Sequence, residues 1–113
     1  MTKHKVVLVP FPFDDLTQNK VRPAVCLTDP IGPHRHVIVA FITSRVTLNL
    51  LASDLLIESG GQEFAATGLR TTSVLRLHRL ITLSTAIIDR ELGYLPKLLE
   101  QEVESRLRDL FGL

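Results

Sequence analysis

Between residues 5 and 92 the apolar side chains come in short runs broken by turn-forming clusters, whereas from Pro96 onward they recur at every third or fourth position. That change of period limits the architecture more than any single motif. In the last segment Leu99, Val103, Leu107 and Leu110 form one stripe, Glu100, Glu104, Arg108 and Asp109 fall off it, and Pro96 stands where a helix tolerates proline. One amphipathic helix is predicted. Burying the four stripe residues is worth on the order of 1.5 to 3 kcal/mol each, so the helix is expected to dock on a sheet. Many short strands followed by one helix predict a mainly β fold: a small β-barrel with a C-terminal α-helix packed on it.

Strands are expected at residues 5–13, 23–28, 36–43, 54–58, 73–83 and 87–92. Pro10 and Pro12 deny the first strand two ladder donors, which predicts an edge or bent strand. The turn cluster Asp29-Pro-Ile-Gly-Pro ends the second, and Gly60-Gly61 closes the fourth. In the fifth, alternation predicts Val74, Arg76, His78 and Leu80 on one face and Leu75, Leu77, Arg79 and Ile81 on the other.

At 113 residues and 45% apolar content, one domain is expected, burying roughly 65% of its unfolded surface. Cys26 is the only cysteine, so no disulfide can form within the chain, and its apolar neighbours predict a core side chain. The opening Met-Thr-Lys-His-Lys lacks the apolar stretch of a signal peptide, and no apolar run is long enough to span a membrane. A cytoplasmic protein is expected. Up to Leu83 nine Lys/Arg stand against six Asp/Glu; beyond it the counts are four and six. The first part can therefore carry a weakly basic face, the rest an acidic tail. His34 and His36 could share a strand face as metal ligands, but no third ligand is evident nearby, so neither a metal nor another cofactor is expected.

Arg22 is the residue to explain. It stands where the polar loop of residues 14–20 re-enters an apolar strand, and Pro23 after it disfavours helical backbone and keeps it extended. A guanidinium aimed by a stiff backbone suits a phosphate. The plainer alternative is a surface salt bridge with Asp14 or Asp15.

Four blocks carry a likeness. They are Val6-Val-Leu-Val-Pro-Phe-Pro-Phe-Asp-Asp-Leu with the loop Thr17-Gln-Asn-Lys, then Val21-Arg-Pro-Ala, then Ile42-Thr-Ser-Arg, and finally Gly68-Leu-Arg-Thr-Thr-Ser-Val-Leu-Arg-Leu. In this order they resemble the MazF/PemK family of toxin endoribonucleases. The resemblance implies an SH3-like barrel of the MazF/CcdB type, a homodimer, a cognate antitoxin as partner, and single-stranded RNA, mRNA in particular, as substrate. It sets Arg22 on the family's catalytic arginine and Thr43 on its catalytic threonine. Two departures stand out: Lys3-His4-Lys5 replaces the Gly-Asp or Gly-Glu that often opens the first strand, and the loop of residues 14–20 is short.

Cleaving RNA without a metal requires a base for the 2′-hydroxyl, an acid for the leaving 5′-oxygen, and donors for charge on the phosphoryl oxygens. Arg22, Thr43, Arg76 and His78 are the candidate catalytic residues. A guanidinium stays protonated at neutral pH, so Arg22 is assigned electrostatics. Relatives commonly carry aspartate at the position of His78; an imidazole can move protons near neutrality, and the bland alternative is a strand histidine at the rim. Thr43 and Arg76 have equally bland readings as strand residues. Lys20 and Arg45 flank the matched motifs and, with Asp15 and Ser44, form the expected RNA-binding set. Few aromatic side chains are offered for stacking, so base recognition would rest on loop hydrogen bonds. The alternative to a nuclease is a binding module: a degenerate relative that holds RNA without cutting, or a CcdB-like toxin acting on a protein such as gyrase.

Overall fold

The computed structural model describes residues 2–10 and 20–113. Among these, β1 (Lys5–Pro10), β2 (Val21–Cys26), β3 (His36–Thr43), β4 (Asp54–Ile57), β5 (Ser73–Ser84) and β6 (Arg90–Tyr94) make one antiparallel sheet in the order β4-β5-β3-β2-β1-β6. It curls into a half-barrel. A short helix α1 (Phe64–Thr67) precedes β5, and α2 (Lys97–Phe111) follows β6. No helix among the described residues is long and apolar enough to cross a membrane.

The central strands bury both faces, which is why they read as apolar runs and not as strict alternation. Toward α2 lie Val6, Val25, Ala40, Ile42, Leu55, Leu75 and Leu77, with Val103 of the helix set among them. The other face collects Val7, Val9, Ala24, Cys26, Val37, Val39 and Leu83. The helix stripe docks as predicted at Val103, with Leu99 and Leu107 beside it. Leu110 does not; it is exposed, like Phe111 next to it.

Three expectations are corrected. Of the edge or bent strand expected, the edge is overturned: β1 lies between β2 and β6, its register against β6 shifts between Val6 and Val7, and Pro10 fits because it is the last residue, beyond the stretch of β1 that β6 pairs. Residues 11–13 of the expected first strand lie outside the described residues. The last strand starts at Arg90 because Thr85–Ile87 form a 3-10 turn, capped by the Ser84 hydroxyl accepting the Ala86 N–H at 3.2 Å. The third correction concerns β5. Ala40 pairs with Leu80 but Ile42 pairs with Leu75, so Phe41 alone stands opposite residues 76–79. The alternation does not carry through that irregularity. Leu75 and Leu77 join the core toward α2, whereas Leu83, with Ile81 packed beside it, joins the opposite one.

α1 is too short to leave a periodic trace in the sequence. It is fixed by close approach: a Cβ on Gly93 would lie 2.2 Å from the Ala66 carbonyl oxygen, and one on Gly68, whose φ is +72°, 2.2 Å from that of Leu92. Only glycine lets β6 and the α1 turn lie this close.

Candidate active site

Ala24 of β2 pairs with Phe41 of β3, and Arg22 and Thr43 each lie two residues beyond this last pair of the register, at the same end of the two strands. Both side chains line a cavity of about 400 Å³, joined by Arg45, Thr47, Arg76 and Arg79 above Phe41 and Ile42. Among the described residues no carboxylate lines it. The Thr43 oxygen accepts the Arg45 N–H at 3.1 Å, a bond that spends a lone pair and leaves the hydroxyl hydrogen for another acceptor.

Arg76 is held from behind. It is the cross-strand partner of Asp54, and its Nε donates to Asp54 Oδ1 at 2.9 Å. Only 3% of the Asp54 side chain is exposed, and a carboxylate that deep needs its acceptors filled. The Leu51 N–H fills Oδ2 at 2.9 Å. From α2, Arg106 donates to the carbonyls of Ala52 and Asp54 at 2.8 and 3.0 Å. His78 Nδ1 stands 4.0 Å from Asp54 Oδ1.

The expected site residues therefore divide. Arg22, Thr43, Arg45 and Arg76 share one cavity. His78 does not line it and stands beside it, reached through Asp54. Ser44 lies in a second cavity that shares Arg22. Lys20 is exposed and lines neither, and Asp15 lies outside the described residues. Three residues went unnoticed in the sequence. Arg79 was assigned away from Arg76 by alternation, and the register irregularity at residues 76–79 is what brings both to one cavity. Thr47 gave no signal. Asp54 did: an acid opening the apolar run Asp54-Leu-Leu-Ile needs a buried partner.

The remaining candidates stay outside the site. Cys26 is buried, and burial, with Glu91 adding to it, pushes its thiol up to about 11, the reverse of an activated nucleophile. The rings of His34 and His36 are 6.0 Å apart, and no group of three metal-ligating side chains occurs among the described residues.

The family model described as PemK-like, MazF-like toxin of type II toxin–antitoxin systems matches residues 2–111. The chain belongs to this family. Among solved structures, the Mycobacterium tuberculosis toxin MazF-mt6 is 25% identical, with a TM-score of 0.72 over 96% of this chain and 97% of that one. A mycobacterial endoribonuclease in complex with its cognate antitoxin is 14% identical, with a TM-score of 0.71 over 100% and 96%. MazF from Deinococcus radiodurans is 17% identical, with a TM-score of 0.69 over 100% and 97%. At their identities the last two speak for the fold alone. No curated protein matches the chain. The half-barrel sheet with its C-terminal helix is thus the MazF-type fold that the four sequence blocks imply.

Proposed function

We propose that this toxin is an endoribonuclease that cuts single-stranded mRNA at selected sequences, as a cytoplasmic homodimer restrained by a cognate antitoxin. The observation that carries this reading is the convergence of Arg22, Thr43 and Arg76 on one cavity rich in arginine. Guanidinium groups offer donors only, so such a cavity suits a phosphodiester and not a divalent ion. The 2′-hydroxyl attacks the phosphorus and the bond to the 5′-oxygen breaks. The products are a 2′,3′-cyclic phosphate and a 5′-hydroxyl end. Arg22 and Arg76 neutralise the charge that grows on the non-bridging oxygens, and Thr43 donates its hydroxyl hydrogen to one of them. Asp54 keeps Arg76 aimed. His78 is the proton carrier in this reading, and because it stands beside the cavity it must turn toward a bound strand to act.

The test is incubation of the purified chain with a long single-stranded RNA in EDTA, beside Arg22→Ala and His78→Ala, with the cut ends mapped. Cuts at a recurrent short motif, lost in Arg22→Ala and carrying cyclic phosphate ends, are expected. One observation favours a second reading, a relative that binds RNA without cutting: His78 does not line the cavity. RNA that is bound but stays intact would establish that reading instead.

A further inference from the structure

Arg22 and Ile42 also line a second cavity, of about 460 Å³, and its chemistry differs from the first. Pro23, Leu69 and Leu92 supply apolar walls, and Arg70 and Arg90 bring guanidinium groups from two separate segments. The close approach of Gly68 to Leu92 puts the segment carrying Arg70 against β6, which carries Arg90. Neither arginine has an ion-pair partner among the described residues. The Ser73 hydroxyl is committed to the Thr71 carbonyl at 2.8 Å; beside the Arg70 and Arg90 forks the lining holds Arg22 and the hydroxyls of Ser44 and Thr71, so donors outnumber acceptors in the cavity.

We propose that this second cavity is a reading slot for one unpaired guanine next to the scissile phosphate, an assignment that rests on RNA being the substrate. A phosphate alone would gain nothing from apolar walls, whereas a flat base is covered by them and stacks on guanidinium planes. Guanine offers two neighbouring acceptors, O6 and N7, which an arginine fork matches in bidentate fashion. Adenine places an amino donor beside its N7, and uracil an N–H between its carbonyls; both turn donors toward donors. Cytosine pairs its O2 with its N3 as neighbouring acceptors, but its single ring covers less of the apolar walls than a purine does. Arg22, common to the two cavities, sets the read nucleotide beside the clamped phosphate.

The test uses uridine pentamers bearing 2′-O-methyl groups, which block the attack and so report binding alone, with a single guanine, and in parallel a single adenine or cytosine, moved through the five positions. Binding is read by fluorescence anisotropy. Guanine at one position is expected to tighten binding about tenfold or more. That gain should vanish with 7-deazaguanine at the same position, and in Arg70→Ala and Arg90→Ala. Both arginines are exposed, so folding should survive, which circular dichroism checks. Plain pentamer binding with no gain from guanine anywhere, a gain from another base instead, or a guanine gain that persists in both variants overturns the slot and leaves RNA binding standing. Variants that keep the guanine gain but lose affinity for the antitoxin would assign the cavity to a protein side chain. Failure of the wild-type chain to bind any pentamer would overturn the substrate class as well.

Discussion

Arg76 and Asp54 face each other across β5 and β4 in a 2.9 Å ion pair whose carboxylate end is interior and whose guanidinium end forms the cavity wall. Asp54→Asn keeps the shape but removes the charge and turns one donor toward another at either Arg76 or Leu51. With Arg76 about one-third exposed, the cost is expected at about 1 to 3 kcal/mol, read as a lower urea midpoint. RNA cleavage should fall together with stability. An unchanged midpoint would mean that the pair holds nothing in place.

Arg22→Lys keeps a positive charge and loses the fork. If a bidentate phosphate contact matters, cleavage should drop about tenfold in Arg22→Lys and about a hundredfold to a thousandfold in Arg22→Ala. Single-turnover rates at saturating enzyme separate this from weaker binding. Equal rates for lysine and arginine would reduce Arg22 to a source of charge.

Thr43→Val preserves volume and removes the hydroxyl. It leaves the Arg45 N–H without its acceptor and withdraws a donor from the phosphate. Loss of one such donor is expected to cost about a hundredfold in single-turnover rate with little change in RNA affinity. A rate within twofold of wild type would return Thr43 to the status of an ordinary strand residue.

Gly93→Ala should be disproportionately harmful, because its Cβ would meet the backbone of Ala66 and Thr67, which cannot swing away as a side chain can. A loss of about 2 kcal/mol or more is expected. Gly60→Ala, where a Cβ meets nothing within 4 Å, serves as the control and should stay within about 0.5 kcal/mol. Thermal unfolding of the two variants side by side gives the answer.

Cys26 should make stability fall in alkali. Its folded value is raised from 9.0 to about 11, so the neutral thiol is the form the fold favours. The contribution is complete below pH 9 and is lost as the pH rises toward 11, amounting to roughly 2 to 3 kcal/mol. Unfolding of wild type and Cys26→Ala from pH 8 to pH 11 should show the wild-type curve falling more steeply. Parallel curves would remove the thiol from the account.

The mainly β chain with its closing helix was legible because strand and helix periods differ, whereas Arg22, Thr43, Arg45 and Arg76, which line the first cavity, stand out in the sequence chiefly through the family resemblance of Val21-Arg-Pro-Ala, Ile42-Thr-Ser-Arg and the block from Gly68 to Leu77. What stayed hidden depends on contacts across strands. Arg79 joins Arg76 only through the register irregularity opposite Phe41, which no alternation along β5 reveals. Pro10 and Pro12 argue for an edge or bent strand, yet the end of an interior β1 tolerates Pro10 because β6 stops pairing at Leu8. His78 is singled out because it follows Arg76 by two residues and stands where relatives carry aspartate, and neither says which way the ring turns once Asp54 approaches from β4.

Synthesis from the N-terminus supplies Arg22, Thr43, Asp54 and Arg76 well before Arg106, which reaches back 54 positions to the Ala52 carbonyl and grips that of Asp54 as well. Until α2 has emerged from the ribosome and docked, the turn that orients Asp54 lacks its tether. A chain whose α2 is not yet docked would then carry its arginines without their final aim.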